Sequence, residues 1–429
     1  MPAHRPQAGF AAVEPRPDLV TRTTPEAHAG TGPPDRITAG PSVEDVVTRI
    51  TPDAHDRITG GPSVEDVVAR ITPEAQTGTG RPDRITGCFT AVTDGDFFVR
   101  TVGGLEGLVA AELAERGCTV LRTSRRQLVV RGPGDALWRE PPRTADDLFR
   151  LVLTLEDPGR RRGTPAELGR QVRSARFDVP RPGARISVSA SFVGPRAFSR
   201  YDLEDEIGAA LAARWGGRYW SRRDGRRPHP EAVDWRVTLD GDRALVGLRP
   251  GARPLHRRPW KTASIPGTLH PPVAAAMARL AGIRPGQLVV DPCCGAGTVL
   301  IEAAELCPAA RFAGGDIDPA ALAAASTNRR GGIGWQRHDS AALPYLSDSV
   351  DRIVTNPPWG VRVAEIRALP ALLREWRRVI RPDGRLICLA DPDQLSAFAG
   401  RDANWRAVRT LPISLSGRHP QIVVAHPDR

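Results

Sequence analysis

The fold of the C-terminal half is decided by Asp291-Pro292-Cys293-Cys294-Gly295-Ala296-Gly297-Thr298. This stretch follows the apolar run 288–290, which predicts a strand, and precedes a predicted helix over 298–306. Gly295 and Gly297 let the backbone approach a ligand with no Cβ in the way. The turn then delivers the chain to a helix N-terminus, where free N–H groups attract a carboxylate or phosphate. The pattern therefore predicts a nucleotide-like ligand at this turn.

Strand-like and helix-like segments alternate from about residue 264 onward, which is typical of a doubly wound parallel sheet. Asp316 is expected at the end of the second strand, where a carboxylate can accept hydrogen bonds from two ribose hydroxyls. Asp339 is expected at the end of the third strand, where it can accept from an adenine amine. No Gly-Lys-Ser/Thr follows the glycine turn, so a P-loop is excluded. An NAD site is the alternative for this motif alone, although the third glycine of that fingerprint is missing.

A second motif, Asn356-Pro357-Pro358-Trp359, follows the apolar strand predicted over 350–355. The Asn356 side-chain oxygen and the Pro357 carbonyl can accept both protons of a flat –NH2 group. This directs the nitrogen lone pair towards an electrophilic methyl group, and the prolines stiffen the loop. Trp359 offers a face on which an extruded base can stack. The motif therefore predicts a transferase that acts on an amine attached to a ring.

Composition narrows the class of protein. The chain has 429 residues and 40% apolar residues, and none of its apolar runs approaches the roughly 18 residues that span a bilayer. Its six cysteines form neither a C-x-x-C pair nor a disulfide ladder, which favours a reducing cytoplasm. The histidines lack metal-ligand spacing, so we expect no metal site. Cys293-Cys294 is interpreted as small-residue packing beneath the ligand. The sequence is silent on oligomeric state.

The net charge of +11 is concentrated in the middle of the chain. Residues 158–262 carry a net charge of +12. Only one of the 60 basic residues is lysine, which we attribute to a GC-rich genome, but codon usage does not explain where the excess lies. Arginine makes bidentate phosphate contacts and stacks on bases. The segment therefore predicts a polyanion-binding face, with RNA as the expected partner.

The N-terminal part divides into three regions. Residues 1–90 contain a 21-residue repeat that begins at Asp35 and returns at Asp56, with too little apolar area to offset ordering entropy, so a disordered tail is expected. Residues 96–144 predict a small α+β unit. Residues 145–255 predict a second α+β unit, which coincides with the basic segment.

At this point the residues resemble a known family. Residues 264–390 are similar to class I S-adenosylmethionine-dependent methyltransferases of exocyclic amines, and the entry from Ser264 through Ala304 resembles that of THUMP-domain RNA methyltransferases. Phe97–Gly117 is similar to their ferredoxin-like unit and Phe198–Gly208 to part of the THUMP domain. The resemblance implies a Rossmann-like α/β domain over 264–429 with an antiparallel last strand. It also implies a ferredoxin-like unit over 96–144 and a THUMP-like RNA-binding domain over 145–255.

The resemblance also implies the cofactor and the site residues. The cofactor is S-adenosyl-L-methionine. The residues expected to line it are Asp291, Cys293, Gly295, Gly297, Thr298, Asp316, Ile317, Asp339, Ser340 and Asn356. Those expected to hold the target base are Asn356, Pro357, Pro358 and Trp359. Many relatives carry Tyr or Phe where Trp359 stands, which leaves the base preference open.

The implied activity is N2-methylation of guanine in structured RNA, with tRNA as the expected substrate. The same asparagine-proline-aromatic chemistry also suits N6-methylation of adenine in DNA or RNA. A third reading is a non-catalytic RNA-binding protein with a relic methyltransferase fold, which the intact site residues disfavour. Neither the nucleotide position nor mono- versus dimethylation is encoded in these motifs.

Overall fold

The computed structural model describes residues 95–177, 183–225, 227–251, 253–329, 331–358, 363–399 and 404–428. The predicted tail over 1–90 and Trp359 lie outside the described residues. Across these ranges, no helix combines the length and apolar character needed to cross a bilayer.

Residues 95–251 build one eight-stranded sheet with helices packed against it. Its strands are β1 (Asp96–Arg100), β2 (Thr119–Ser124), β3 (Gln127–Arg131), β4 (Asp147–Glu156), β5 (Arg185–Phe192), β6 (Arg218–Tyr219), β7 (Val233–Asp240) and β8 (Arg243–Leu248). Its helices are α1 (Glu106–Glu115), α2 (Gly134–Arg139), α3 (Thr164–Ser174) and α4 (Arg200–Trp215). The strand order is β2-β3-β1-β4-β8-β7-β5-β6.

Strand β4, which the sequence analysis did not predict, joins the two predicted α+β units into this sheet. It pairs antiparallel with β1 on one side and with β8 on the other. Its register against β8 shifts between Leu151 and Leu153, yet alternate residues from Phe149 to Leu155 stay buried. Helix α4 begins at a capping box in which Ser199 and Asp202 exchange hydrogen bonds, as the Ser-x-x-Asp spacing favours.

Residues 271–427 build a seven-stranded sheet. Its strands are β9 (Leu288–Asp291), β10 (Arg311–Asp316), β11 (Gly334–Arg337), β12 (Val350–Thr355), β13 (Ile380–Ala390), β14 (Trp405–Pro412) and β15 (Gln421–Pro427). Its helices are α5 (Pro271–Ala281), α6 (Thr298–Leu306), α7 (Pro319–Asn328), α8 (Val363–Val379) and α9 (Ser396–Ala399), with a 3-10 turn at Pro392–Gln394.

The order of this second sheet is β11-β10-β9-β12-β13-β15-β14. The first five strands in that order are parallel. Strand β15, the last in the chain, is antiparallel to both of its neighbours, β13 and β14. The predicted fold class, with its antiparallel last strand, is confirmed. The order reverses between β9 and β12, and ligands bind open α/β sheets outside the carboxyl ends of the strands at such a point.

The segment Pro382–Gly384, whose proline and glycine favour a turn, is a bulge within β13. Val350 pairs with Ile380 while Arg352 pairs with Arg385, so residues 381–384 stand opposite Asp351 alone. Helix α8 begins at Val363 and contains Pro370 in its interior. These differences leave the carboxyl end of β12, where Asn356 lies, as predicted.

Candidate active site

The glycine turn between β9 and α6 is held by hydrogen bonds to the neighbouring strand. The Gly295 N–H donates to Asp316 Oδ2 at 2.9 Å, and the Cys294 N–H donates to the Gly315 carbonyl at 2.8 Å. Gly295 and Gly297 have φ values of 51° and 78°, a region that side chains disfavour. The Asp316 carboxylate, predicted at the end of the second strand, therefore also stabilises the glycine turn.

Helix α6 opens onto this turn with its N-terminus uncovered. Gly297 is its N-cap residue, and no side chain of the described chain caps it. The Thr298 hydroxyl is buried and has no hydrogen-bond partner among the described residues. Such a terminus suits a carboxylate.

Gly297 is expected to be intolerant of any side chain. A Cβ there would lie 2.7 Å from the Trp335 ring, in addition to the positive φ. Gly297→Ala should therefore cost about 2–4 kcal/mol of stability, combining strain and overpacking. The matched control is Gly286→Ala, where φ is 81° but nothing lies within 4 Å of the added Cβ. Chemical denaturation of both variants checks this, and equal losses would contradict the packing argument.

Asp291 is buried at the end of β9, with 1% of its surface exposed. Its Oδ1 accepts from the Cys293 N–H at 3.1 Å. Burial raises the pKa of the Asp291 carboxyl to about 7, and the nearby Thr355 hydroxyl opposes this rise only in part. The Asp291 carboxyl thus keeps its proton at a pH where an exposed aspartate is ionised.

This raised pKa predicts the direction of one pH effect on stability. An acid that binds its proton more tightly in the folded state stabilises that state fully below the unfolded pKa of 3.8, and the contribution is lost as pH rises through about 7. Asp291→Asn should remove this pH-dependent contribution. The free energy of unfolding of the variant should therefore fall less than that of the wild type between pH 4 and pH 8. Parallel urea titrations measure the difference, and identical pH slopes would refute it.

Of the adjacent cysteines, Cys294 is buried and Cys293 packs half-buried against the core. Burial raises the pKa of the Cys293 thiol to about 12 and that of Cys294 further, so neither supplies a thiolate nucleophile near neutral pH. Cys293 Sγ lies 3.4 Å from Ser340 Oγ, which also accepts from Trp376 Nε1 at 3.0 Å. Ser340 thus links the turn after β11 to the glycine turn.

The second motif lies at the end of β12, beside β9. The Asn356 side-chain oxygen is buried and has no hydrogen-bond partner in the described chain. A buried unpaired acceptor is costly and calls for a donor. Pro357 is buried and Pro358 exposed, and the Pro358 carbonyl lies 3.5 Å from Gln394 Nε2. Within the described residues, the Asn356 oxygen is therefore a free acceptor, on a loop whose backbone is held by Gln394.

Residues expected around a nucleoside lie along the edge formed by β10 and β11. The Asp316 carboxylate accepts from the N–H groups of Gly295 and Asp318. Ile317 is 64% exposed, which is high for its size. Asp339 is also exposed, and its Oδ1 accepts from the Ala341 N–H at 2.9 Å. An apolar side chain flanked by two carboxylates fits the face and the polar edges of a nucleoside.

Two supporting residues were missed by sequence reasoning. Asn328, at the end of α7, donates to the Ala296 carbonyl in the glycine turn at 2.9 Å and binds residues 262–263 through three further hydrogen bonds. Trp335 fills the space beneath Gly297 and Gly314, so both positions exclude a Cβ. The close approach of glycine to an aromatic ring leaves no local pattern, because it depends on the register between strands whose residues are far apart in the chain.

The strand order and the glycine turn at its reversal define a class I methyltransferase fold. Residues 258–421 match a family model described as an RMKL-like methyltransferase domain. The chain is 33% identical over 283 residues to a tRNA (guanine(6)-N2)-methyltransferase of Thermus thermophilus, covering 64% of this chain and 77% of that protein. It is 29% identical over 243 residues to the U6 snRNA (guanine-N(2))-methyltransferase THUMPD2 of Bos taurus, covering 55% of this chain and 45% of the relative.

Solved structures agree. The crystal structure of TrmN from Thermus thermophilus superposes with a TM-score of 0.64 at 27% identity, covering 77% of this chain and 99% of that one. A putative methyltransferase complexed with SAH gives 0.62 at 18% identity, covering 78% and 98%, and shows the fold alone. The chain belongs to the THUMP-containing family of class I S-adenosylmethionine-dependent guanine-N2 methyltransferases.

Proposed function

We propose that this protein transfers a methyl group from S-adenosylmethionine to the exocyclic N2 amine of a guanine in structured RNA, with tRNA as the substrate. The observation that carries the proposal is the buried Asn356 side-chain oxygen, at the strand end next to the glycine turn, which has no hydrogen-bond partner among the residues that the structure describes. The relatives named above, which methylate guanine N2 by their names, support the choice of base.

The residues present fit S-adenosylmethionine. The N-terminus of α6 and the Thr298 hydroxyl, neither of which has a side-chain partner in the described ranges, suit the carboxylate of the methionine part. Asp316 retains lone pairs for the ribose hydroxyls, Ile317 offers an apolar face for the adenine, and Asp339 an acceptor for its amine. Asp291, Cys293 and Ser340 form the floor below, and Gly295 and Gly297 allow close approach. When bound, this cofactor supplies an electrophilic methyl group on a sulfonium.

The chain's own contribution to the reaction is positioning and the handling of one proton. The Asn356 oxygen and the Pro357 carbonyl accept the two amine protons of the base, which frees the nitrogen lone pair. Held in this way, the nitrogen would face the methyl group that a cofactor bound by the glycine turn and Asp316 would supply, and one amine proton would be lost to solvent after transfer. Pro358 keeps the loop stiff, and Trp359 stacks on the base. Since a sulfonium is a good leaving group, orientation supplies most of the rate.

The basic segment 158–262 is proposed to carry the RNA. Part of its charge is used internally, since Arg196 pairs with Asp157 at 2.7 Å and Arg249 pairs with Asp147 at 2.6 Å. The run Arg160–Arg162 is exposed, and although Arg161 pairs with Glu167 at 2.8 Å, that surface pair leaves the run open to phosphates. We assign residues 96–144 to the ferredoxin-like unit and 145–255 to the THUMP-like domain, and we place the protein in the cytoplasm.

The proposal is tested by incubating the purified protein with tRNA and isotope-labelled S-adenosylmethionine, followed by nucleoside mass spectrometry. We expect label in N2-methylguanosine. Label in N6-methyladenosine would overturn the base assignment. No label, together with no heat of cofactor binding in calorimetry, would identify a non-catalytic RNA-binding protein instead.

A further inference from the structure

A buried carboxylate on the helix that follows the glycine turn binds two arginines that precede residue 264 in the chain. Glu302, on α6, has none of its surface exposed. Its Oε2 accepts from Arg143 Nε at 2.8 Å, and its Oε1 accepts from Arg258 Nε at 2.7 Å. Arg258 Nη2 also donates to the Arg143 carbonyl at 2.6 Å. Both oxygens of Glu302 are therefore committed to partners that precede residue 264.

The same contact continues into the N-terminal unit through a second buried carboxylate. Glu112, on α1, accepts from the N–H groups of Arg143 and Thr144, each at 2.9 Å, and from the Thr144 hydroxyl. The backbone of Arg143 is thus fixed to α1 while its side chain is fixed to α6. Hydrogen bonds connect the two helices without a gap.

A separate set of hydrogen bonds connects residues 262–263, which lead into the methyltransferase domain, to the glycine turn itself. Asn328 Oδ1 accepts from the N–H groups of Thr262 and Ala263 at 2.9 and 2.8 Å. Its Nδ2 donates to the carbonyls of Ala263 and Ala296 at 3.0 and 2.9 Å. The side chain is 6% exposed and fully used. Asn328 therefore holds residues 262–263 against the glycine turn.

Buried ion pairs of this kind contribute little net stability compared with apolar packing, so their value lies in fixing one geometry. Here the hydrogen bonds fix the position of α1, which packs against the first sheet, relative to α6. The N-terminus of α6 is proposed to hold the cofactor. We infer that Arg143 and Glu302 are positioning residues that set the orientation of the RNA-binding unit relative to the methyl donor. This inference rests on the proposed function, because it concerns how bound RNA is presented.

Arg143→Met tests the inference, because Glu302 keeps its pairing with Arg258 in that variant. We expect the dissociation constants for tRNA and for S-adenosylmethionine to stay within about twofold, since neither surface is altered. The single-turnover methylation rate should fall about tenfold, because a small misplacement of reacting groups slows transfer strongly. Arg143→Lys retains a cation and should recover much of the rate.

Arg279→Met is the matched control. Arg279, on α5, pairs with Glu115, on α1, so it also links the first sheet to the methyltransferase domain, but Glu115 is half exposed. Exposed pairs contribute little, and we expect a rate within twofold of the wild type. Thermal unfolding is recorded for every variant. If Arg143→Met does not fold, Glu302→Asp, which keeps the charge and shortens its reach, serves in its place.

The inference is overturned if the folded variant methylates tRNA at the wild-type rate, or if Arg279→Met slows transfer equally. It is also overturned if tRNA affinity falls in step with the rate, because Arg143 would then be an RNA contact. A wild-type protein that labels no guanine in tRNA would instead refute the proposed function.

Discussion

Asn356→Ala should lower the single-turnover methylation rate by about 10³-fold while leaving the affinity for S-adenosylmethionine within about threefold. The wild-type side-chain oxygen is buried and has no partner within the described part of the chain, so we expect it to accept from a donor that arrives with the substrate. Removing it leaves the amine free to rotate and its lone pair conjugated with the ring. Rapid-quench methylation and isothermal calorimetry measure the two quantities separately.

An isosteric variant sharpens this test. Asn356→Asp keeps an acceptor at the same position and should retain more activity than Asn356→Ala. If the alanine variant loses cofactor affinity as severely as rate, then Asn356 holds the cofactor and does not orient the base. If both variants remain fully active, the amine is oriented by other groups.

Asp316→Ala should weaken S-adenosylmethionine binding by about a hundredfold, because two charge-assisted hydrogen bonds to the ribose would be lost. The effect has a second source in this structure. The carboxylate also accepts from the Gly295 N–H at 2.9 Å, so the variant loses a hydrogen bond that stabilises the glycine turn. Calorimetric titration with S-adenosylmethionine measures the loss.

Asp318→Ala provides the comparison for that measurement. Asp318 lies two residues away and caps α7 by accepting from the Ala320 N–H at 2.8 Å. Its loss should cost about 1 kcal/mol of stability, as for other N-caps, with cofactor affinity nearly unchanged. Equal weakening of binding in both variants would show that the loop conformation alone, and not the Asp316 contact, supports the cofactor.

Local patterns predicted the strand ends that carry the site. Asp291, Asp316 and Asn356 each close a short apolar run, and each lies at the end of a parallel strand in the structure. Strand β4 was missed although its pattern is local, because Phe149, Leu151, Leu153 and Leu155 alternate with less buried residues. Only its pairing with both β1 and β8 needed the tertiary structure. Helix α5 was missed because nearly all of its side chains are buried, so the sequence shows no polar face.

The sequence by itself determined the glycine turn, the asparagine-proline loop and the alternating architecture, because these depend on residues adjacent in the chain. Only the tertiary structure decided that Asn328 braces the turn, that Trp335 fills the space under Gly297, and that Glu302 fastens α6 to the first sheet. These contacts join residues far apart in the chain. They are set by strand order and packing, which local periodicity does not encode.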